Sequence, residues 1–506
     1  MMNQQKELNL LAFDCGNSSI RTILCHFDGE KVTSEVILQE PNHITEENGF
    51  FYWDMPQIFS VMKQGLGMAA EKAGRIDSIG ICTWGIDFQM TDDDGNLLER
   101  AFCYRNTIGE EAMSELTAEQ RRDMFYRTGI LCDKINTIFM LKGLWKYAPS
   151  ILERGRKILL VPDVFVYLFT GVLMNEPSEL STSQMLNVES MEIDAKQCEY
   201  AGVSPEIFSQ IGVHGQKVGN VRREILDELG ISYDIPLVCV PSHDTACAVL
   251  AIPSEEENYL FVSSGTWALV GTQCSRPVIR DDVLDASLTN EVGAFGRTTL
   301  LRNNAGMFIV QRLKAEYEEQ TGQKISWNDF TRLAQEWKGD PVIFDVNDSR
   351  LFNPRNMAAE IRDMMKAAAA EKAAGASLQC PAQSSVCAEE SSSSGGGDFG
   401  WPLLMASVYA SLGDSFAHVL TRVAACTGDT YERVYIVGGG SRNAAINQRC
   451  ADRLGLPVYA CDMECSSVGN AAAQLAYHLP QLQYEDLRKI ITRSLQTVVY
   501  SPVRES

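Results

Sequence analysis

A short β-branched strand that runs into a polar turn holding one glycine, and returns as a second strand, occurs twice in this chain, about 250 residues apart. In the first copy Leu8–Phe13 reads as strand, Asp14–Ser19 as turn and Ile20–Phe27 as the return. In the second, Tyr259–Val262 leads into Ser263-Ser264-Gly265-Thr266, and Trp267–Thr272 returns. Two hairpins of one design so far apart call for two units of one design, each presenting a Ser/Gly turn, with the cleft between them as the natural site. Each half also holds a second strand-turn element: Ser78–Thr83 before Trp84-Gly85-Ile86-Asp87, and Arg433–Val437 before Gly438-Gly439-Gly440-Ser441. After the latter, Ser441 is expected to cap a helix ending at Leu454, with Gly455 past its end and Pro457 opening the next strand. Short strands alternating with helical stretches are the signature of α/β domains. At roughly 150 residues per domain, the 506 residues have room for two to four.

Composition removes several function classes. The net charge of −22 argues against binding to a phosphate backbone, so no nucleic-acid partner is expected. The fifteen cysteines are odd in number and scattered, several of them inside apolar runs, and read as reduced thiols. Lys6 and Glu7 precede a short apolar run broken by Asp14, which is no signal peptide, and no uncharged apolar stretch is long enough to span a bilayer. A cytoplasmic protein without a membrane partner is therefore expected. No Gly-Lys dipeptide occurs, which excludes a Walker-type loop. The six histidines are dispersed, and the Cys461/Cys465 pair lacks a second pair at zinc spacing. Asp92-Asp93-Asp94 before Gly95 reads as a solvated hairpin turn, since the rest of a calcium loop is missing. A Ser/Gly-rich insertion at about 377–398 reads as a mobile surface loop, with periodic structure resuming at Trp401.

The candidate chemistry lies in the turns. Asp14-Cys15-Gly16-Asn17-Ser18-Ser19-Ile20-Arg21 and Ser263–Thr266 offer backbone N–H groups and hydroxyls to an anion, and glycine lets a phosphate approach closely. Either alone is also what a plain hairpin looks like. Gly438-Gly439-Gly440 is a third close-approach surface, or simply a tight strand-to-helix connection. Asp244 stands where an apolar strand ends and an alanine-rich helix begins. It suits a general base for an attacking hydroxyl, and equally an ordinary N-cap for Thr245–Ala251. His243 is a hydrogen-bonding group beside it, or a structural histidine, and Trp84 is a face for a sugar ring or a piece of core.

Taken together, Asp14-x-Gly16-x-Ser18-Ser19-x-Arg21, Thr83-Trp84-Gly85-Ile86-Asp87-Phe88, Ser242-His243-Asp244-Thr245-Ala246, Ser263-Ser264-Gly265-Thr266-Trp267, Thr289-Asn290-Glu291 and Gly438-Gly439-Gly440-Ser441-x-Asn443 resemble the FGGY carbohydrate kinases, in the family's order from residue 11 to about 475. The resemblance implies an α/β fold of two actin-like ATPase (ribonuclease H-like) domains with an interdomain cleft, residues 8–250 on the sugar side and 251–480 on the nucleotide side. It implies ATP and Mg²⁺ as cofactors and a ketose as substrate, phosphorylated on a primary hydroxyl. Carried over by position, Asp244 is the base, and Gly85, His243, Asp244, Thr245 and Asn303 contact the sugar. Asn17, Ser18, Ser19, Ile20, Arg21, Thr266, Gln311 and Gly439 contact ATP, and Asp14 holds Mg²⁺.

Within the family the pattern is nearest to members acting on L-rhamnulose. Those members have Asp at the positions of Cys82 and Asn106 and glycine at that of Val292. Cys82 and Asn106 are thus expected to remove carboxylates that orient substrate hydroxyls, which keeps L-fuculose and D-xylulose open as substrates. From other classes, a nucleotide-switched actin-like ATPase would not need the sugar-side set Trp84-Gly85, His243-Asp244 and Asn303, and a sugar-binding protein without catalysis would not need Asp244. Oligomeric state is not legible.

Overall fold

The structure is a computed structural model and describes residues 7–98, 100–377, 399–461 and 465–503. The Ser/Gly-rich insertion therefore lies outside the described residues, apart from its first position at the end of the helix Met357–Ser377.

Two sheets carry the fold, and they repeat one another. In the first, Leu8–Cys15 pairs antiparallel with Ser19–Phe27, which pairs antiparallel with Val32–Pro41. On its other side Leu8–Cys15 pairs parallel with Ser78–Thr83, followed by Pro236–Val238 and Lys217–Asn220. In the second, Leu260–Ser264 pairs antiparallel with Trp267–Cys274 and that with Thr298–Ala305. Its other edge runs parallel to Val434–Val437, then Val458–Cys461, then antiparallel Thr497–Tyr500. One strand, Thr289–Val292, is added at the far edge of the second sheet. The hairpin echo in the sequence thus marks a doubled topology, the one expected of two actin-like units.

Alternation along the strands sorts side chains onto two covered faces, which is why these strands read as continuous apolar runs. Leu11 and Phe13 pack with Met62 and Leu66 of helix Met55–Ala73 and with Phe165 and Phe169 of helix Val161–Thr170. Leu8, Leu10 and Ala12 face Ala471 and Leu475 of helix Cys465–His478. In the second unit Leu260 and Val262 face the helix Trp401–Thr427, while Tyr259 and Phe261 face Val249, Val468 and Ala472. Helices Asp244–Leu250 and Cys465–His478 therefore form the layer between the sheets. They cross at Gly469, where a Cβ would lie 2.0 Å from the carbonyl oxygen of Cys247. The helix Trp401–Thr427 is long and apolar enough to cross a membrane, but 72% of its apolar window is buried inside the protein, as a core helix requires.

One local expectation changes. Residues Gly439–Arg442 form a 3₁₀ turn, and the helix after it is Ala444–Leu454, capped by Asn443 Oδ1 accepting from Ile446 N at 3.1 Å, not by Ser441. Gly438, at φ +80° and packed on the Ser264 carbonyl, forces that extra turn before the helix can start. The Asp92 turn is the expected hairpin, with Asp92 Oδ1 accepting from the N–H groups of Asp94 and Asn96. Every cysteine among the described residues is a free thiol, and those residues hold no His/Cys/Asp/Glu cluster fit for a metal ion.

Candidate active site

A cavity of about 990 Å³ opens between the two sheets, at the top of the range for a ligand site. Asp14, Asn17, Ser18, Ser19, Arg21, Gly85, His243, Asp244, Thr245, Thr266, Asn303, Gln311 and Gly439 all line it. The doubled topology explains this meeting. Both hairpin turns, Trp84-Gly85 and Gly438-Gly439 follow the same ends of equivalent strands, and those ends face each other.

One wall is built around Trp84–Ile86. Thr83 N donates to Ser242 O at 2.8 Å, extending the strand Ser78–Thr83 so that Trp84-Gly85 lies beside His243. A Cβ on Gly85 would stand 3.4 Å from His243 Nε2 and 3.3 Å from Thr182 Oγ1, so both side chains close over this glycine. Ile86 has φ +71°, a left-handed conformation costing a β-branched residue about 1–3 kcal/mol. It is held there from both sides, by Ile86 N donating to Thr182 Oγ1 at 3.0 Å and Thr137 Oγ1 donating to Ile86 O at 2.6 Å. Trp84 is a piece of core that also borders the cavity. It is 3% exposed and packs on Trp53 at 4.2 Å, while one edge reaches the cavity. The Nε1–H groups of both tryptophans donate to Asp87 Oδ2, at 2.5 and 2.9 Å. Burial nevertheless pushes the Asp87 carboxyl up to about 7, against those two hydrogen bonds.

Asp244 is the first residue of the helix Asp244–Leu250, and its cap position is His243, which makes no side-chain capping bond. The ordinary N-cap explanation of Asp244 therefore fails; its carboxylate accepts from Thr245 Oγ1 at 3.2 Å and borders the cavity. Its side chain keeps 39% of its surface, all facing the cleft. Desolvation raises its pKa, the His243 ring opposes this, and the Asp14 carboxylate adds to it. A carboxylate with its pKa raised toward the working pH is what a general base needs.

Across the cavity, Gly16 N donates to Ser19 O at 2.9 Å and closes the first turn, leaving Ser18 exposed and the Asn17 side-chain oxygen buried without a hydrogen-bond partner among the described residues. Gly265 N donates to Trp267 O, and Gly265 O and Thr266 O accept from the N–H groups of Met307 and Phe308. The second turn is thereby tied to the start of helix Phe308–Thr321, which carries Gln311. Gly440 fits only as glycine, since a Cβ would meet Ser264 Oγ at 1.9 Å, whereas Gly439 has open space where a Cβ would be and faces the cavity. Asp14 pairs with Arg21 and accepts from Ser466 Oγ, so its carboxylate is fixed at the junction of both units.

Three expectations are corrected. Ile20 does not line the cavity; its side chain is fully buried in the core of the first unit, where an isoleucine contributes about 1.5–3 kcal/mol. Cys82 is buried, with Sγ on the Phe13 carbonyl at 3.4 Å, and does not face the cleft. Asn106 is also away from it: Nδ2 donates to Phe51 O and Cys103 O at 2.7 and 2.8 Å, and Oδ1 accepts from Phe51 N at 2.8 Å. Neither departure removes a group from the cavity lining.

Other contributors had no assigned role in the sequence reading. Thr182 and Ser466 carry no motif at all. Thr289-Asn290-Glu291 is visible as a motif, and it makes contacts between the units at the edge of the cavity. Thr289 Oγ1 accepts from Leu131 N at 3.1 Å and Asn290 N donates to Gly129 O at 3.0 Å. Glu291 Oε2 lies 3.1 Å from His243 Nδ1, and Val292 N donates to Ser181 Oγ at 3.0 Å.

Comparison with known proteins agrees with this geometry. The N-terminal domain of the FGGY family of carbohydrate kinases matches residues 9–251 and its C-terminal domain residues 260–477. The chain is 29% identical over 500 residues to a rhamnulokinase of Bacteroides thetaiotaomicron, covering 98% of this chain and 96% of the relative. It is likewise 29% identical to a rhamnulokinase of Oceanobacillus iheyensis over 97% of this chain and 98% of the relative. A ligand-bound xylulose kinase from Lactobacillus acidophilus shares the fold at TM-score 0.76 and 15% identity, covering 98% of this chain and 94% of that one. With its two domains matched in order across nearly its full length, the chain belongs to the FGGY family of carbohydrate kinases.

Proposed function

We propose that this sugar kinase transfers the γ-phosphoryl group of ATP to O1 of L-rhamnulose, giving L-rhamnulose 1-phosphate, with residues 8–250 as the sugar-side unit and 251–480 as the nucleotide-side unit. The observation that carries the reading is Asp244, whose carboxylate stands between the wall Trp84–Ile86 and the two Ser/Gly turns. Asp244 takes the hydroxyl proton as that oxygen bonds the γ-phosphorus and the bridging oxygen leaves with ADP. Asn17, Ser18, Ser19, Arg21 and Thr266 hold phosphate oxygens from opposite walls, and Gly439 lets the nucleotide lie against the backbone. Gly85, His243, Thr245 and Asn303 orient the sugar. The cavity fits MgATP by its donor set: a hydroxyl-lined turn on each wall, a glycine with room above it, and the Asp14 carboxylate between them. Asp14 would hold Mg²⁺, which neutralises phosphate charge when bound, consistent with the few protein ligands that ion takes.

Both rhamnulokinase relatives support L-rhamnulose over other ketoses. The test is ADP release with MgATP across L-rhamnulose, L-fuculose, L-ribulose, D-xylulose and glycerol. Preference for L-rhamnulose is expected. Preference for another sugar overturns the substrate and keeps the chemistry, and turnover indifferent to every sugar overturns both.

A further inference from the structure

Glu291 is the one charged residue of the strand Thr289–Val292, and it belongs to the second sheet, yet its carboxylate reaches a side chain of the first unit. A carboxylate only accepts, so the contact at 3.1 Å requires a proton on His243 Nδ1. The ring is then fixed. Its backbone N donates to Ser178 Oγ at 3.1 Å, and Nε2 is left at the cavity wall, 3.7 Å from Asp244 Oδ1 and beside Gly85. At 3.7 Å the Asp244 oxygen is too far for a good hydrogen bond, so among the described residues Nε2 has no close partner, and it borders the cavity assigned above to the sugar.

We propose that Glu291 is a positioning residue that holds His243 with both ring nitrogens protonated, presenting Nε2–H to the ketose oxygen next to the hydroxyl that Asp244 deprotonates. This rests on the ketose kinase reading above and adds to it the group that reads that oxygen. Protonation state decides the matter, because neutral His243 with its proton on Nδ1 offers Nε2 only as an acceptor, which a carbonyl oxygen cannot use. The charged groups facing the ring are all acidic. Glu291 lies on the added strand, Asp244 on the following helix and Glu176 at the cap of the short helix Pro177–Thr182. Glu179 of that helix faces both Asp244 and Glu291. Burial alone would lower the His243 pKa, but Glu291 first, then Asp244 and Glu176, raise it to about 9.

The test is Glu291→Gln, which keeps the shape and an acceptor for Nδ1–H but removes the charge. At pH 8 the KM for the ketose is expected to rise about 10- to 100-fold, as for loss of a charge-assisted hydrogen bond, with the KM for MgATP unchanged. The defect should shrink below about pH 6.5, where an unassisted histidine regains its proton. Wild type should keep its ketose KM up to about pH 9 and lose affinity above it. Glu291→Asp, retaining the charge, should recover most of the affinity, which separates charge from strand stability. A second readout needs no substrate: in histidine-labelled protein, the NMR signal absent from His243→Asn should titrate near 9 in wild type and at clearly lower pH in Glu291→Gln. Equal ketose KM in wild type and Glu291→Gln across this range, or a His243 signal whose titration does not move, overturns the proposal. If no ketose is turned over at all, the functional reading fails while the NMR comparison still decides the hold of Glu291 on His243.

Discussion

Replacing Asn106 by Asp restores the carboxylate found in L-rhamnulose-acting members of the family, and so separates a role in specificity from a role in structure. The structure assigns it the second. Asn106 spends both hydrogens of Nδ2 on the carbonyl oxygens of Phe51 and Cys103 and its Oδ1 on the N–H of Phe51, at 2.7, 2.8 and 2.8 Å. An ionised Asp keeps the last bond and turns the other two into contacts between oxygens. Both carbonyl oxygens keep a backbone donor, Phe51 O from Cys103 N and Cys103 O from Asn106 N at 3.0 Å each, so the loss is that of two hydrogen bonds, roughly 1–3 kcal/mol. For a unit of this size that is a fall in Tm of roughly 2–12 °C, at about 2–4 °C per kcal/mol. The sign of the pH dependence follows from the introduced carboxyl. Its pKa in the fold is raised by burial and by the facing carbonyls, above its unfolded value of about 3.9. In the folded variant this carboxyl thus holds its proton where the unfolded chain releases it, and the variant loses stability as pH rises through that window. Thermal melts of wild type and Asn106→Asp at pH 5 and pH 8 should differ more at pH 8, with the ranking of ketose substrates unchanged. A variant as stable as wild type but altered in sugar preference would refute the argument, because the residue would then have to act on the cavity it does not line.

Three further outcomes follow from other parts of the molecule. Asp244→Asn keeps the size of the side chain but takes no proton, and should lower kcat about 10²- to 10⁴-fold with melting unchanged; turnover within tenfold of wild type would remove Asp244 as base. Gly469→Ala places a Cβ 2.0 Å from the Cys247 carbonyl, where backbone must move, and should destabilise by about 1–3 kcal/mol in a denaturant titration; an unchanged midpoint would contradict the close helix crossing. Asp87, raised to about 7 by burial, binds its proton more tightly in the fold than in the unfolded chain, so wild type loses stability as pH rises from about 4 to about 7; Asp87→Asn, which still accepts from both tryptophans, should flatten that slope in melts across pH.

What was legible in the sequence was the part built twice. The strands Leu8–Cys15 and Leu260–Ser264, their returns and their parallel neighbours are short, apolar and bounded by glycine turns, so local pattern sufficed to place both Ser/Gly turns and the Gly438–Gly440 connection. The Asp244 position was legible as the end of a strand, though its freedom from capping needed the backbone geometry that puts His243 at the cap. Ile20 was misplaced because in a hairpin successive residues face opposite sides, and the residue after the turn points into the core. Cys82 and Asn106 were misread because a polar position near a motif says nothing about which way its side chain faces.

The sugar wall was illegible for a different reason, which bears on where substrate choice resides. In the second unit the strands Val434–Val437 and Val458–Cys461 are joined by little more than the helix Ala444–Leu454. In the first, the equivalent parallel strands Ser78–Thr83 and Pro236–Val238 are separated by residues 84–235, which build a separate apolar cluster and a three-stranded sheet of their own. Thr137 and Thr182, which clamp Ile86, and Ser178, which holds His243, all come from this inserted segment. The added strand Thr289–Val292 of the other unit docks onto the same segment through Gly129, Leu131 and Ser181. These contacts join residues between 51 and 161 positions apart, and no periodicity in a single sequence reports them. On the proposed function, the repeated elements hold phosphate and the inserted segment faces the sugar. Residues that distinguish one ketose from another are therefore to be sought where the repeat is broken, on the clamp around Gly85-Ile86 and the Glu291–His243 contact.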